Sequence, residues 1–196
     1  SRGLGDVYKR QGLGIVGDFF KSKILSGSTL VLHDINPETL KNTYKIAISY
    51  KEKLGVNFNI ESTTSRSDAL KKADFCLISI EVGNRFELWE QDWKVPLQYG
   101  IKQVYGENGG AGGLFHAMRQ VPAIIKICED IEKICPEAFV FSYSNPMQRI
   151  CHALNTRFPN LRITGLCHEI ASMTRQLPTL METDLNNIEF EAGGLN

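Results

Sequence analysis

The run Asp74-Phe75-Cys76-Leu77-Ile78-Ser79-Ile80 limits this chain more than any other stretch. Near-continuous apolarity over so short a length suits a strand with both faces covered, as in a parallel sheet between two helical layers. Cys76 inside it reads as core. A second such run, Ala138-Phe139-Val140-Phe141-Ser142-Tyr143, leads into Ser144-Asn145-Pro146-Met147. Shorter extended stretches are predicted over 29–34, 57–62 and 161–164, and helices over 15–25, 37–54, 67–72, 114–131 and 150–158. Residues 177–190 are less regular and predict a helix followed by a strand over 187–192. Strand alternating with helix in this way predicts a doubly wound α/β sheet.

Gly12-Leu13-Gly14-Ile15-Val16-Gly17 fits the glycine pattern that opens a dinucleotide-binding fold, but a strand should precede it. Only residues 1–11 do, and Asp6-Val7-Tyr8-Lys9-Arg10-Gln11 reads as translated sequencing-library adapter. The expected fold is therefore a Rossmann-like parallel sheet over 12–170 whose first strand is missing, and the Ser144-Asn145-Pro146 stretch within it resembles the lactate/malate dehydrogenase-like form of that fold. Residues 171–196 are expected to begin a second domain that is cut off.

Asp34 lies twenty residues beyond Gly14, at the end of the first visible strand. An acid there suits the adenosine ribose hydroxyls of NAD; it also suits a turn, with Asn36 capping a helix that opens at Pro37. Both roles are compatible. His33 reads as a satisfied strand residue. The loop after the 74–80 strand is a ligand-binding position in such sheets. It carries Glu81 and Arg85, and Arg85 either forks onto an anionic group or pairs with Glu81 or Glu87.

Five glycines crowd into the eight residues 106–113, directly before a helix. So much backbone freedom is costly unless the chain must turn sharply or approach something closely. Glu107 and Asn108 within it read as sugar-hydroxyl or metal-shell groups. His116 and Arg119, on the helix that follows, read as surface or interface residues. Asn145 is held extended by Pro146 and presents its amide at the sheet rim. Cys167-His168 ends the last strand; by residue type alone such a pair is more often core than site, but it stands at an open rim. Cys151 and His152 read as structural.

Charge excludes some functions. Lys and Arg total 22 against 22 for Asp and Glu, which leaves no footprint for nucleic acid or an anionic membrane. Five cysteines in no familiar disulfide or zinc spacing suit a reducing cytoplasm.

Taken in order, the acid ending a strand, the glycine-rich loop into a helix, Ser144-Asn145-Pro146-Met147, Gly165-Leu166-Cys167-His168-Glu169-Ile170 and Gly193-Gly194-Leu195-Asn196 resemble glycoside hydrolase family 4, the NAD- and manganese-dependent glycosidases. The resemblance covers residues 12–196. Cys-His-Glu-Ile is most similar to the family's Cys-His-Glu-Val group, which acts on α-linked uronic acids, α-galacturonides in particular. It implies that NAD takes hydride from sugar C3, that a base then removes the C2 proton, that the aglycone leaves by elimination, and that water adds before the ketone is reduced again; the family is an exception to the two-carboxylate route. Mn2+ would stabilise the charge as a Lewis acid. By the same resemblance Cys167 is the metal ligand, His168 bonds the reacting hydroxyls, and Asn145 touches substrate near the nicotinamide. Glu107 is an acid near the metal and the substrate, Arg85 a partner for the uronate carboxylate, and Asp34, Gly12, Gly14, Glu81 and Asn145 hold NAD. The implied parent is a cytoplasmic homo-oligomer acting on a small glycoside, with this piece inactive alone. The other functions the residues leave open are a family 4 α-glucosidase or α-galactosidase, a lactate/malate-type NAD dehydrogenase, and a non-catalytic NAD-binding module.

Overall fold

The structure, a computed structural model, describes residues 14–167, 169–189 and 191. Gly12, the segment 1–11, His168 and the terminal 192–196 lie outside the described residues. Helix α1 occupies 14–21 and is followed by β1 (Thr29–His33), α2 (Pro37–Leu54), β2 (Asn59–Thr63), α3 (Arg66–Leu70), β3 (Phe75–Ile78), α4 (Arg85–Gln98), α5 (Gly110–Ile134), β4 (Phe139–Ser142), α6 (Met147–Arg157), β5 (Arg162–Gly165) and α7 (Glu169–Leu180), with a 3₁₀ turn at Leu185–Asn187. Every ladder is parallel: β1 pairs with β2, and β4 lies between β3 and β5. Among the described residues no ladder joins β1 to β3. The architecture is the Rossmann-like α/β class that the alternation predicted.

Local chemistry explains the boundaries that were legible. Asn36 Oδ1 accepts the N–H groups of Glu38 and Thr39 at 3.0 and 3.1 Å, and Pro37 occupies the first turn of α2. The helix stops at Gly55, whose φ of 63° returns its N–H to the carbonyls of Glu52 and Lys51. His33 is satisfied through Nδ1 and the Thr63 carbonyl oxygen at 3.0 Å.

Two cores form. Val16 and Phe20 of α1 meet Ala47 of α2 and Phe58 in one, with the Phe20 and Phe58 rings 5.3 Å apart. In the other, Ile124, Cys128 and Ile131 of α5 and Ile150 and Leu154 of α6 pack on Cys76, Ile78 and Val140. Burial of each large side chain contributes roughly 1.5–3 kcal/mol.

Three expectations are corrected. β3 is buried on one face only: Cys76 and Ile78 face α5 and α6, while Phe75 and Leu77 are 64% and 46% exposed, because among the described residues no helix covers that side. Helix α5 begins at Gly110, inside the glycine cluster, and not at 114. The strand expected over 187–192 is absent from its described part: 3₁₀ structure ends at Asn187, and 188, 189 and 191 are irregular.

Candidate functional site

The carboxy-terminal ends of β3 and β4 are tied by one buried hydroxyl. Ser144 Oγ accepts the Ile80 N–H at 2.8 Å and donates to the Ile80 carbonyl at 3.0 Å. This fixes two side chains at the rim, Glu81 just beyond β3 and Asn145 just beyond β4.

Glycine places the third. A Cβ on Gly113 would lie 2.4 Å from the Asn108 carbonyl oxygen, and one on Gly112 would meet Gln103 at 2.7 Å and the Asp92 carbonyl oxygen at 3.0 Å. The first turn of α5 therefore sits directly against the preceding loop and α4, an approach that only glycine permits. Gln103 staples the contact, donating to the Asp92 carbonyl at 3.0 Å and accepting the Gly112 N–H at 3.2 Å. Arg149 of α6 donates to the Asn108 carbonyl at 3.2 Å.

The loop so held delivers Glu107 between two partners. Its Oε1 accepts from the Asn145 amide at 2.6 Å and its Oε2 from Arg85 at 2.5 Å. Arg85 and Glu107 are each 14% exposed, a setting in which a charge-assisted pair is strong and breaking it is expensive. The guanidinium lies 5.0 Å from the centre of the Trp89 ring, and Trp89 stacks on Tyr105 at 4.6 Å. Behind Glu107, His116 Nε2 is 3.1 Å from Glu81 Oε1, which Gln120 also engages. His116 Nδ1 is 3.3 Å from the Glu107 carbonyl oxygen. Arg119 forks onto Asp92 at 2.9 and 2.5 Å. Seven of these side chains, Glu81, Arg85, Trp89, Asp92, Glu107, His116 and Arg119, line one narrow internal cleft.

Of the residues singled out in the sequence, Glu81, Arg85, Glu107 and Asn145 are thus brought together. Among the described residues, the carboxylate that Arg85 pairs with is Glu107, rather than the nearer-in-sequence Glu81 or Glu87. Asp34 stands apart on the two-stranded sheet, where its Oδ1 accepts the Asn36 N–H at 2.8 Å in the turn before α2. Gly14 lies in α1 with open space where a Cβ would be. Cys167 is exposed just past β5. A side chain on Gly165 would strike Cys151 and Met147 of α6 at 2.4 and 2.6 Å, so glycine sets how closely α6 approaches the strand that delivers Cys167. Burial pushes the Cys151 thiol above its ordinary range, partly offset by a hydrogen bond with the Gly165 backbone. Among the described residues no group of three His, Cys, Asp or Glu side chains is disposed to hold a metal.

His116 and Arg119 are corrected from surface residues to cluster residues: His116 is 4% exposed. The signal was periodic. Gly113, His116, Ala117, Gln120, Ile124, Cys128 and Ile131 form one buried stripe of α5 at helical spacing, and the polar members fall where the stripe passes the rim of the sheet. Asp92, buried in α4, carried no such signal.

The family model described as Family 4 glycosyl hydrolase matches residues 9–183. The chain is 53% identical over 185 residues to an alpha-glucosidase of Erwinia rhapontici, covering 94% of this chain and 41% of that protein. It is 35% identical over 175 residues to an alpha-galacturonidase of Thermoanaerobacter italicus, covering 89% and 37%. Its fold is similar to that of a 6-phospho-alpha-glucosidase from gut microorganisms solved in complex with NAD and Mn2+, with a TM-score of 0.76 at 23% identity over 90% of this chain and 40% of that one. The chain thus spans about two fifths of the length of the relatives it matches. No described helix is long and apolar enough to cross a membrane.

Proposed function

The chain belongs to family 4 of the glycosyl hydrolases, and from that premise we propose that the whole protein is an NAD- and Mn2+-dependent α-glycosidase acting on neutral α-glucosides. One observation carries the choice of substrate. Arg85, the cation that would have taken a uronate carboxylate, is matched by the Glu107 carboxylate at 2.5 Å. A neutral sugar instead offers hydroxyl donors to a rim where Glu107 accepts and Asn145 both donates and accepts. Each Glu107 oxygen keeps a lone pair beyond its bond to Asn145 or Arg85, so the clamp can orient a substrate hydroxyl without coming apart. The 53% identity to an alpha-glucosidase, against 35% to an alpha-galacturonidase, points the same way. α-Galacturonides are the second candidate class, favoured by Cys167-His168-Glu169-Ile170.

The two implied cofactors fit unequally. Asp34 at the end of β1 is an acid with its backbone turn already formed, which suits ribose hydroxyls. When bound, the dinucleotide supplies reversible hydride acceptance from a sugar carbinol. For the metal, the described residues offer one sulfur ligand, Cys167, and no group of three ligands; by softness, sulfur is not the first choice for Mn2+. Cys167 would be its one described ligand, and the binding roles of Glu107, Arg85 and Asn145 do not depend on it.

The test is hydrolysis of 4-nitrophenyl α-glucoside and 4-nitrophenyl α-galacturonide by the whole protein, with and without NAD and Mn2+. Turnover of the glucoside that needs both additions is expected. Preference for the galacturonide would shift the substrate assignment, and turnover indifferent to NAD would end the redox glycosidase proposal.

A further inference from the structure

We propose that His116 is the positioning residue for Glu107, donating from both ring nitrogens at once: Nε2 to the Glu81 carboxylate and Nδ1 to the Glu107 main-chain carbonyl. The kinetic consequence rests on the glycosidase function proposed above; the hydrogen-bonded form of the ring does not.

Hydrogen-bond accounting leads there first. Both ring nitrogens face acceptors, Glu81 Oε1 at 3.1 Å and the Glu107 carbonyl at 3.3 Å, with Glu107 Oε2 next at 4.0 Å. Neither a carboxylate nor a carbonyl has a proton to give. A neutral imidazole satisfies only one of the two contacts and turns a lone pair toward the other. The ring side chain is 5% exposed, where water offers little relief for such an opposition.

Burial adds to this. Among the described residues, the charged groups that line the cleft with the ring are Glu81 beyond β3, Glu107 in the loop before α5, Arg85 and Asp92 of α4, and Arg119 of α5. Each of these five described side chains is no more than 24% exposed, so the acceptors that face the ring lie where an unmet hydrogen bond is costly.

The geometry says what the arrangement achieves. Asn145 and Arg85 hold the Glu107 side chain, but only contacts to its main chain decide where that side chain starts. His116 is planted in α5 one turn beyond Gly112 and Gly113, so its Nδ1 bond fixes residue 107 relative to the same helix start that the glycines bring close. Glu81 anchors the other end of the ring to the rim of β3. Gln120 lies one turn further along α5 and also reaches Glu81, which keeps that acid facing the ring. The chain Gln120–Glu81–His116–Glu107–Asn145 thus links the rims of β3 and β4 to α5, passing through the main chain only at Glu107.

The whole protein, labelled with ¹⁵N-histidine and compared with its His116→Asn variant to assign the signals, provides the first test. Both His116 ring nitrogens should be protonated in the folded protein. One protonated and one bare nitrogen would overturn the proposal, whatever the enzyme's activity. Kinetics provide the second, because Asn places its amide near the Nδ1 position and Gln near the Nε2 position. His116→Asn keeps the bond to Glu107 and should retain kcat within about threefold, while His116→Gln keeps only the bond to Glu81. His116→Gln and His116→Ala should each lose about 100-fold in kcat, the scale for a reacting group misplaced by about 1 Å, at temperatures where each variant is folded and with NAD affinity near wild type. Equal activity in the Asn and Gln variants would refute the positioning role. Absence of glycosidase activity in the unsubstituted protein would remove the proposed function and leave the NMR result to decide the state of His116.

Discussion

Replacing Gly113 by alanine sets two opposed effects against each other. Alanine favours a helix interior over glycine by about 1 kcal/mol, and Gly113 needs no left-handed backbone, so by propensity alone the change stabilises α5. Against this, the new Cβ would lie 2.4 Å from the Asn108 carbonyl oxygen and 2.5 Å from its carbon, where ordinary contact begins at 3.4 Å. Relief requires a shift of about 1 Å, and neither party moves easily: the Gly113 N–H bonds the Gly109 carbonyl at 2.9 Å, and Asn108 is held by Arg149 at 3.2 Å. Overpacking against backbone costs about 3 kcal/mol at the upper end of its range, leaving a net loss of about 2 kcal/mol. That corresponds to a melting midpoint lower by about 4–8 °C for a domain of this size. Thermal denaturation followed by circular dichroism reads the shift, with Gly106→Ala as the control. There the added Cβ meets only Val104 at 3.7 Å, and a change within about 0.5 kcal/mol is expected. A Gly113→Ala protein as stable as wild type would show that the close approach of α5 to its own loop does not constrain the site.

Asp92→Asn should destabilise by about 3 kcal/mol, since it leaves Arg119 without its countercharge beside a buried position. The double variant Asp92→Leu/Arg119→Met should recover most of that in urea unfolding, and a double variant no better than the single one would locate the cost elsewhere. Burial pushes the thiols of Cys76 and Cys128 up to about 12 from a usual value of 9, with the neighbouring Cys135 and Cys128 adding to the effect on Cys76. The unfolded chain releases those protons first, so their contribution is intact below pH 9 and is lost as pH rises toward 12. The urea midpoint should fall across that window, less steeply in Cys128→Ala; an unchanged slope in the variant would contradict the assignment.

What could be read from the sequence, and what could not, follows from the range of the forces involved. The limits of α2 were legible because Asn36, Pro37 and Gly55 act within one turn of themselves. The strands were legible because apolar runs report burial directly, although Phe75 and Leu77 show that a run does not report which face is covered. The start of α5 was misplaced because glycine reads as loop, and its reason for being helical lies in Asn108, Gln103 and Asp92 across a gap. Glu81, Arg85, Glu107 and Asn145 were each legible as rim residues, yet their connection was not, since Arg85 had nearer acids in sequence than Glu107. His116 read as surface because a polar side chain on an apolar stripe declares its burial only once a partner such as Glu81 is placed.

The central claim, a glycosidase that works through redox and elimination at the sugar ring, is tested most directly by hydrolysing an α-glucoside in D2O with the whole protein, NAD and Mn2+. Because the route removes the C2 proton before water adds, the released glucose should carry deuterium at C2. The two-carboxylate route never breaks that bond, so released glucose with only hydrogen at C2 would contradict the account.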